Sequence, residues 1–361
     1  MSARTILIMA GGTGGHVFPG LAVADYLKAI GWHVVWLGTS TGMEVKLVSQ
    51  RGYDTEVISF SGLRGKKLIA WAMLPLRLVK AFLQSARIIR RVKPDVVLGM
   101  GGYPAFPGGM MASLLNKPLI IHEQNSLPGL TNRILARIAD KVLLGFPDAI
   151  QAEQDKVVFS GNPVRYEIAE VETPEKRLKG REGKLRILVV GGSLGAQALN
   201  TMVPQALSLM PEASRPLVTH QTGANNLASV EKAYADLQIP GQPIAFIEDM
   251  AKQYAECDLV LCRAGALTIA ELTAAGVASV LVPYPHAVDD HQTSNARFLS
   301  NHRAAILLPQ TELTPRNLAD LLLGMTREKL LGMAVAARQL AKPGATRRVA
   351  EVCIEMSGGI A

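Results

Sequence analysis

The chain has 361 residues and a formal net charge of +8, a length that exceeds one typical domain and suits two of roughly 150–200 residues each. Cys257, Cys262 and Cys353 form no CxxC pair and no Cys/His cluster, which argues against a disulfide framework and indicates packing residues in a reducing compartment. The longest apolar run, residues 68–76, is far shorter than the roughly 20 residues of a membrane span, and residues 6–10 are too few for a secretory signal.

The first half of the chain alternates short apolar runs with helix-length segments. A glycine turn at residues 11–15 and a helix over residues 20–30 follow the first run. Short buried strands separated by helices predict a parallel sheet, because a parallel connection needs a crossover segment to return the chain. The strands predicted in this half are residues 5–10, 33–37, 95–98, 118–121 and 141–144.

The positive charge is concentrated in residues 57–94, which contain nine Lys and Arg and no acidic residue. Within this block, residues 68–91 alternate apolar and basic side chains at helical spacing. The spacing predicts one face with Pro75, Leu78, Val79, Phe82, Ala86 and Ile89, and another with Arg77, Lys80, Gln84, Arg87 and Arg91. Either the helix packs on a core with a solvated face, or it lies on an anionic membrane surface. No nucleic-acid motif accompanies the basic residues, so we expect no nucleic-acid partner.

The pattern restarts at residue 185, where a strand, the glycine segment GGSLGAQ and a helix repeat the opening of the chain. We therefore predict an α/β protein with two Rossmann-like, doubly wound parallel-sheet domains and a cleft between them. The domains are expected at residues 1–163 and 164–343, with a C-terminal helix at about 344–361 that packs back on the first. The further strands predicted are residues 185–190, 217–221, 244–246, 258–262 and 279–282, with a helix at 346–356.

Three glycine clusters stand at strand-to-helix turns, at residues 11–16, 99–103 and 191–195. Glycine lets the backbone approach a phosphate, and the following helix offers free N–H groups and a positive dipole end. None of the clusters is a P-loop or a complete GxGxxG. The strand that follows the first cluster lacks a terminal acidic residue, which argues against a dinucleotide-binding site. Each could be a tight turn without a ligand, but three together favour phosphate binding.

Two polar segments also follow predicted strands. Residues 263–271 (RAGALTIAE) begin a helix, and Glu271 stands three residues after Thr268. This spacing fits a capping box, or equally a carboxylate that binds the two hydroxyls of a ribose. Residues 122–125 (HEQN) stand where α/β folds bind ligands. No Asp-x-Asp occurs, which disfavours a metal-dependent glycosyltransferase that uses such a motif.

In this order and spacing, the motifs GGTGGHVFPGLAVA, GMGGYPAFPG, HEQNSLPGLTNR, GNPVR, GGSLGAQALN, FIEDM, RAGALTIAEL and HQTSNA resemble the bacterial MurG family along essentially the whole chain. The resemblance implies a GT-B fold and transfer of GlcNAc from UDP-GlcNAc to the MurNAc 4-hydroxyl of undecaprenyl-diphospho-MurNAc-pentapeptide (lipid I), which gives lipid II for peptidoglycan synthesis. It implies no metal and no other cofactor, because UDP-GlcNAc is a substrate. It also implies peripheral attachment to the anionic cytoplasmic face of the inner membrane, with cell-wall synthesis proteins as partners.

The resemblance also assigns site residues. The acceptor is expected at Gly11, Gly12, Gly101, Gly102 and Tyr103. The uracil is expected near Ile247, the ribose at Glu271, the pyrophosphate at Ser193 and the sugar hydroxyls at Gln292. The full donor set is Thr13, Gly14, Gly15, Asn125, Arg165, Ser193, Ile247, Ala266, Leu267, Thr268, Ile269, Ala270, Glu271 and Gln292.

The family reaction inverts the anomeric centre, so a single in-line attack with one general base is expected. His16 is our choice of base, because an imidazole suits proton abstraction near neutral pH; His122 and Glu123 are its rivals. Helix amides and Arg165 would stabilise the leaving diphosphate. The competing interpretations are a UDP-GlcNAc 2-epimerase, a non-catalytic sugar-nucleotide-binding protein and an NAD-dependent oxidoreductase.

Overall fold

The structure, a computed structural model, describes residues 3–40, 42–60, 73–192, 194–287 and 290–359. The chain divides into two compact units, one formed by Met1–Arg165 with Pro343–Ala361 and the other by Tyr166–Lys342. The chain passes from the first unit to the second after residue 165 and returns after residue 342. The boundaries expected from the sequence, after residues 163 and 343, differ from these by two residues and by one.

Strands and helices alternate through both units. The strands are β1 (Thr5–Ala10), β2 (His33–Thr39), β3 (Asp54–Ile58), β4 (Val96–Gly101), β5 (Leu119–Glu123), β6 (Lys141–Leu144), β7 (Val157–Phe159), β8 (Arg186–Val190), β9 (Leu217–Gln221), β10 (Gln242–Ile244), β11 (Leu259–Cys262), β12 (Ser279–Leu281) and β13 (Ala305–Leu307). The described α-helices are α1 (Gly14–Ala29), α2 (Met43–Gln50), α3 (Leu74–Val92), α4 (Ala105–Leu114), α5 (Leu130–Leu135), α6 (Tyr166–Ala169), α7 (Pro174–Arg177), α8 (Gln197–Ser208), α9 (Leu227–Asp236), α10 (Met250–Glu256), α11 (Ala266–Ala275), α12 (His291–Asn301), α13 (Pro315–Leu323), α14 (Arg327–Gln339) and α15 (Ala345–Met356). Among these residues, no helix is long and apolar enough to cross a bilayer.

Each unit has one parallel sheet whose strand order reverses once. The first sheet runs β3-β2-β1-β4-β5-β6-β7 and the second runs β10-β9-β8-β11-β12-β13. All pairings recorded for the described strands are parallel, as predicted. The reversals lie between β1 and β4 and between β8 and β11, which are the topological switch points where doubly wound folds bind ligands. The predicted class of two Rossmann-like, doubly wound sheets is therefore confirmed.

The first sheet is covered on both faces, as an all-parallel sheet requires. Successive residues of β1 point to opposite faces. Ile6 and Ile8 enter the core with α1 and the C-terminal helix α15, whereas Leu7 and Met9 enter the core with α3 and α4. The three cysteines are buried and unpaired, which confirms their expected role in packing.

Several sequence predictions about element positions were wrong. Helix α1 begins at Gly14 rather than at residue 20, so the second half of the glycine turn is the first turn of the helix. Strand β10 lies at 242–244 rather than 244–246, and its Pro243 is tolerated because β10 is an edge strand. Strands β3, β7 and β13 were not predicted, because they are short or half-exposed and lack a continuous apolar run.

Helix α3 contains the described part of the basic apolar segment, whereas residues 68–72 lie outside the described residues. Its packed side is formed by Ala81, Ser85, Ala86, Ile88 and Ile89. The predicted apolar face is confirmed for Ala86 and Ile89, which are buried, and wrong for Val79, which is 55% exposed. Leu76 and Leu83 are exposed as well, at 65% and 54%. Helical spacing puts these three on the same side as the exposed Lys80, Arg87 and Arg90, so one surface is both apolar and basic.

Helix α15 supplies part of the first unit's core, so we predict that its packing stabilises that unit. Val349 is fully buried, and Val349→Ala should lower the free energy of unfolding by about 2 kcal/mol. Arg347→Ala, on the exposed side of the same helix, should change it by less than about 0.5 kcal/mol. No tryptophan stands in the sequence of the second unit, residues 166–342, so tryptophan fluorescence in urea does not report on that unit and follows the first through Trp32 and Trp36. Equal stability of both variants would show that α15 does not stabilise the unit.

Candidate nucleotide-sugar and acceptor sites

The glycine-containing motifs lie at the two switch points. Residues 11–16 follow β1 and residues 99–103 overlap the end of β4, in the first unit. Residues 191–195 follow β8 and residues 263–271 follow β11, in the second unit. Sequence order separates the members of each pair by about 70 to 90 residues, and the strand order makes them neighbours.

The loop after β1 leads directly into α1. The first hydrogen bonds of this helix are donated by the amides of His16 and Val17 to the carbonyl of Thr13. The amides of Gly14 and Gly15 precede them, at the positive end of the helix dipole, where an anion is stabilised. The amide of Gly12 is instead 3.4 Å from Oε2 of Glu44, a fully buried carboxylate that also accepts bonds from the amide and hydroxyl of Thr39. Glu44 therefore shapes the loop, a role that the sequence analysis missed.

His16 lies against the glycines that end β4. Gly101 and Gly102 both have positive φ, at 97° and 81°. A Cβ on Gly101 would be 3.0 Å from the His16 ring, and one on Gly102 would be 2.1 Å from the carbonyl oxygen of Gly11. These glycines therefore allow the loop after β4 to pack against the loop after β1, which brings the predicted acceptor residues Gly11, Gly101 and Gly102 together with His16.

A row of three side chains runs from His16 into the interior. Nδ1 of His16 is 2.9 Å from Oε1 of Gln124. The Nε2 of Gln124 is 3.1 Å from Nδ1 of His122, and Nε2 of His122 is 3.0 Å from the carbonyl oxygen of Gly161. Burial lowers the pKa of His122 to about 4, with the nearby His16 adding to the effect. His122 is therefore neutral near pH 7, and both of its ring nitrogens are occupied.

The carboxylate of Glu123 organises the loop that follows β5. Its Oε1 accepts bonds from the backbone and side-chain amides of Asn125, and its Oε2 accepts bonds from the backbone of Gly129 and from Nδ2 of Asn132. Glu123 is almost completely buried. Four donors occupy the lone pairs of this carboxylate, so this geometry disfavours Glu123 as a general base.

In the second unit, the glycine loop after β8 is tied to Ile247. Gly195 has a positive φ, and a Cβ there would be 1.8 Å from the carbonyl oxygen of Thr222. The side chain of Gln221 donates to the carbonyl of Gly192 at 2.9 Å and accepts from the amide of Ile247 at 3.0 Å. Gln221 thus connects the predicted pyrophosphate loop to the predicted uracil residue. Ser193, predicted in that loop, lies outside the described residues.

The helix after β11 has its N-terminus at the segment predicted to bind the donor. Gly265 is the N-cap of α11, and its carbonyl accepts the first helical bond from Ile269. The amides of Ala266, Leu267 and Thr268 therefore face the open end of the helix. The capping-box interpretation of Thr268 and Glu271 was wrong, because Thr268 is already inside the helix.

Glu271 is buried and accepts a hydrogen bond from the hydroxyl of Tyr254 at 3.1 Å. Tyr254, on α10, is fully buried, and burial raises its pKa well above the usual value, with the charge of Glu271 adding to the rise. Tyr254 therefore stays protonated and remains a donor to the carboxylate. The sequence carried no sign of this pairing, because a tyrosine on an amphipathic helix reads as a core residue.

Two further side chains of the second unit, those of Arg263 and Gln292, form hydrogen bonds with neighbouring loops. Arg263 donates to the carbonyls of Val282 and Pro283 and to Oε1 of Gln310, so it holds the loop after β11 against the end of β12. Gln292, predicted to bind the sugar, uses its Oε1 to accept from the amide of Tyr284 at 2.9 Å. Its amide nitrogen is the end that can donate to a hydroxyl.

The predicted site residues thus fall into two groups. The first unit holds Gly11, Gly12, Thr13, Gly14, Gly15, His16, Gly101, Gly102, Tyr103, His122, Glu123, Asn125 and Arg165. The second unit holds Ile247, Ala266, Leu267, Thr268, Ile269, Ala270, Glu271 and Gln292. In the second group Ile269 is fully buried, so its side chain contributes packing rather than contact with a ligand.

Two Rossmann-like units, each with glycine loops and helix N-termini at its switch point, are the architecture of GT-B glycosyltransferases. Comparisons with known proteins agree. Residues 6–144 match the glycosyltransferase family 28 N-terminal domain, and residues 186–349 match the C-terminal domain of that family. The crystal structure of MurG from Acinetobacter baumannii is 42% identical and superposes with a TM-score of 0.85, covering 98% of this chain and 99% of that one.

Two curated relatives are similar over nearly their whole length. The protein of Nitrosospira multiformis is 64% identical, and that of Nitrosomonas europaea is 61% identical, each over 98% of this chain and 99% of the relative. Both are named UDP-N-acetylglucosamine–N-acetylmuramyl-(pentapeptide) pyrophosphoryl-undecaprenol N-acetylglucosamine transferase. The chain therefore belongs to glycosyltransferase family 28, within the family of these transferases.

The contact between Tyr254 and Glu271 yields a prediction about nucleotide binding. If Glu271 binds the ribose, Tyr254→Phe removes a fixed donor from its carboxylate, and UDP affinity should fall about tenfold. The preference for UDP over its 2′- and 3′-deoxy analogues should shrink as well, as measured by titration calorimetry. Tyr234→Phe is the matched control, because Tyr234 is also buried in this unit but its hydroxyl lies 3.2 Å from His220. Equal effects of the two substitutions would contradict the role of Tyr254.

Proposed function

We propose that this chain transfers N-acetylglucosamine from UDP-GlcNAc to the MurNAc 4-hydroxyl of lipid I and forms lipid II with inversion at the anomeric carbon. The observation that carries the proposal is the placement of His16. Its ring lies at the switch point of the first unit, where one ring nitrogen is held by Gln124. The names of the relatives, which cover nearly the whole chain, support transfer over epimerisation, simple binding or oxidation.

The reaction needs one proton acceptor and stabilisation of a leaving diphosphate. The acceptor oxygen forms a bond to C1 of GlcNAc while the bond from C1 to the diphosphate oxygen breaks, and UDP leaves with the electron pair. The hydroxyl proton passes to His16. His122 and Glu123 are poor candidates for this role, because their lone pairs are already engaged within the protein.

On the donor side, the amides at the start of α11 and the guanidinium of Arg165 stabilise the diphosphate charge, which makes a metal ion unnecessary in this proposal. Glu271 binds the ribose hydroxyls, Ile247 contacts the uracil, and the Nε2 of Gln292 donates to the sugar. The loop after β4 and the open amides of α1 contribute to binding the acceptor.

The proposal predicts metal-independent transfer that depends on His16. Labelled GlcNAc should pass from UDP-GlcNAc to a short-chain lipid I analogue in the presence of EDTA. His16→Ala should lower kcat by roughly 10²–10³ while UDP-GlcNAc affinity changes less than twofold. His302→Ala, at an exposed histidine directly after α12, should leave the rate unchanged. Absence of transfer in protein that binds UDP-GlcNAc would overturn the assigned acceptor, and normal turnover of His16→Ala would overturn the assigned base.

We also propose that the exposed surface of α3 attaches the enzyme to the anionic cytoplasmic face of the inner membrane. Leu76, Val79 and Leu83 are more than half exposed, and Lys80, Arg87 and Arg90 stand beside them. An apolar surface bordered by cations suits the boundary between anionic headgroups and acyl chains. Its proximity in sequence to the acceptor loops fits a substrate that is itself anchored in lipid.

The membrane proposal predicts that leucine substitutions on α3 weaken vesicle binding. Leu76→Asn combined with Leu83→Asn should reduce partitioning onto phosphatidylglycerol vesicles about tenfold or more, because the leucines no longer enter the apolar layer. Binding of the unchanged protein should fall with added salt and on phosphatidylcholine vesicles. Leu323→Asn, at an exposed leucine on α13 of the second unit, is the control and should bind normally. Unaltered binding of the double variant would contradict the proposal.

A further inference from the structure

The hydrogen-bonded row behind His16 can be assigned proton by proton, starting from its buried end. Nε2 of His122 faces the carbonyl oxygen of Gly161 at 3.0 Å, and a carbonyl only accepts. This nitrogen therefore carries a proton. Since His122 is completely buried and neutral near pH 7, its Nδ1 carries a lone pair and accepts.

The orientation of the Gln124 amide follows from its neighbours. The atom assigned as Nε2 lies 3.1 Å from Nδ1 of His122 and 3.2 Å from the carbonyl oxygen of His122, which are both acceptors. Only the amide NH2 group satisfies both positions, so the opposite orientation would place an oxygen against two acceptors. The carbonyl end, Oε1, therefore points to His16.

Because Oε1 of Gln124 accepts, Nδ1 of His16 at 2.9 Å must be the donor. A neutral imidazole protonated at Nδ1 has its lone pair at Nε2. We infer that Gln124 is the positioning residue that fixes His16 as the Nδ1–H tautomer and leaves Nε2 to take the proton of the acceptor hydroxyl. This inference rests on the proposed role of His16 as the base.

The segment that holds Gln124 is itself fixed by neighbouring elements. Nδ2 of Asn162 donates to the carbonyl of Gln124 at 2.9 Å, and Nδ2 of Asn132 donates to the carbonyl of His122 at 3.0 Å. Gln124 is 1% exposed, so its side chain has little freedom to turn. Gly101 also lies against the His16 ring, because a Cβ at this position would be only 3.0 Å from Cε1 and Nδ1 of the imidazole.

An amide at this position has a different effect from a carboxylate. The titratable side chains of the neighbouring described segments are His122 behind Gln124, Glu123, whose carboxylate is bound by the next loop, Glu44, which is 3.4 Å from the Gly12 amide, and Tyr103 after β4. In this row no anion touches the imidazole. The uncharged amide therefore orients His16 without placing a negative charge against its ring. His122 does not accept the proton in turn, because burial disfavours its charged form.

The experiment uses the full-length enzyme in three forms: unchanged, Gln124→Met and Gln124→Glu. The ring ¹⁵N shifts of His16, assigned with His16→Ala, report the tautomer directly. The unchanged protein should show protonated Nδ1 and unprotonated Nε2, and Gln124→Met should show a mixture of tautomers. Its kcat should fall about tenfold while KM for UDP-GlcNAc stays within twofold. Gln84→Met, which replaces an amide that bonds to Ser59 in the same unit, is the control and should match the unchanged enzyme.

Gln124→Glu separates positioning from a purely structural role. A carboxylate beside Nδ1 should move the acidic limb of the pH profile of kcat/KM upward by about one pH unit or more, because it favours the imidazolium. Loss of packing alone would lower the rate without moving the limb. An unshifted limb, or the same tautomer in Gln124→Met and the unchanged protein, would overturn the inference. Normal turnover of His16→Ala would instead overturn the proposed base. The NMR measurement would in that case still show whether Gln124 determines which ring nitrogen of His16 is protonated.

Discussion

Both sheets reverse their strand order once, and the chemistry of the chain depends on that reversal. Crossover connections between parallel strands are right-handed, so helices on the two sides of a reversal cover opposite faces of the sheet. The carboxyl ends of β1 and β4, and those of β8 and β11, are therefore left uncovered by any crossover. Each of the four strands ends in a segment that contains glycine, and each unit begins a helix there. Within each unit, loops far apart in sequence thus become neighbours beside the positive end of a helix dipole.

The central strands and the glycine motifs could be predicted from the sequence because their signals are local. A fully buried strand is a continuous apolar run, as in β1, and a glycine turn follows it directly. Edge strands have no such signal: β7 and β10 have no fully buried residue, and β3 has one. The start of α1 was misplaced for a related reason. Gly14, Gly15 and Pro19 have low helix propensity, and tertiary packing overrides it.

The supporting residues of the site could not be predicted, because each of them acts across the fold. Gln221 reaches the loop after β8 and the amide of Ile247, Tyr254 reaches Glu271, and Glu44 lies beneath the loop after β1. Their identities are ordinary for strand ends and helix faces, so periodicity alone marks them as packing or solvated residues. His16, by contrast, stands in a sequence motif and could be predicted as a site residue. Which of its ring nitrogens is available follows only from the hydrogen bonds of Gln124 with His16 and His122, which the sequence does not show.

The two crossings of the chain make the second unit an insertion within the first. The first unit consists of Met1–Arg165 and Pro343–Ala361, and its core includes Val349, Val352 and Cys353 of α15. A ribosome makes most of this unit first, yet it makes α15, which packs on the sheet of this unit, only after the whole second unit. The second unit is continuous in sequence and can fold as soon as it has left the exit tunnel. During synthesis, the unit that begins first is therefore completed second, because the core that its sheet forms with α1 lacks Val349, Val352 and Cys353 until α15 has been made.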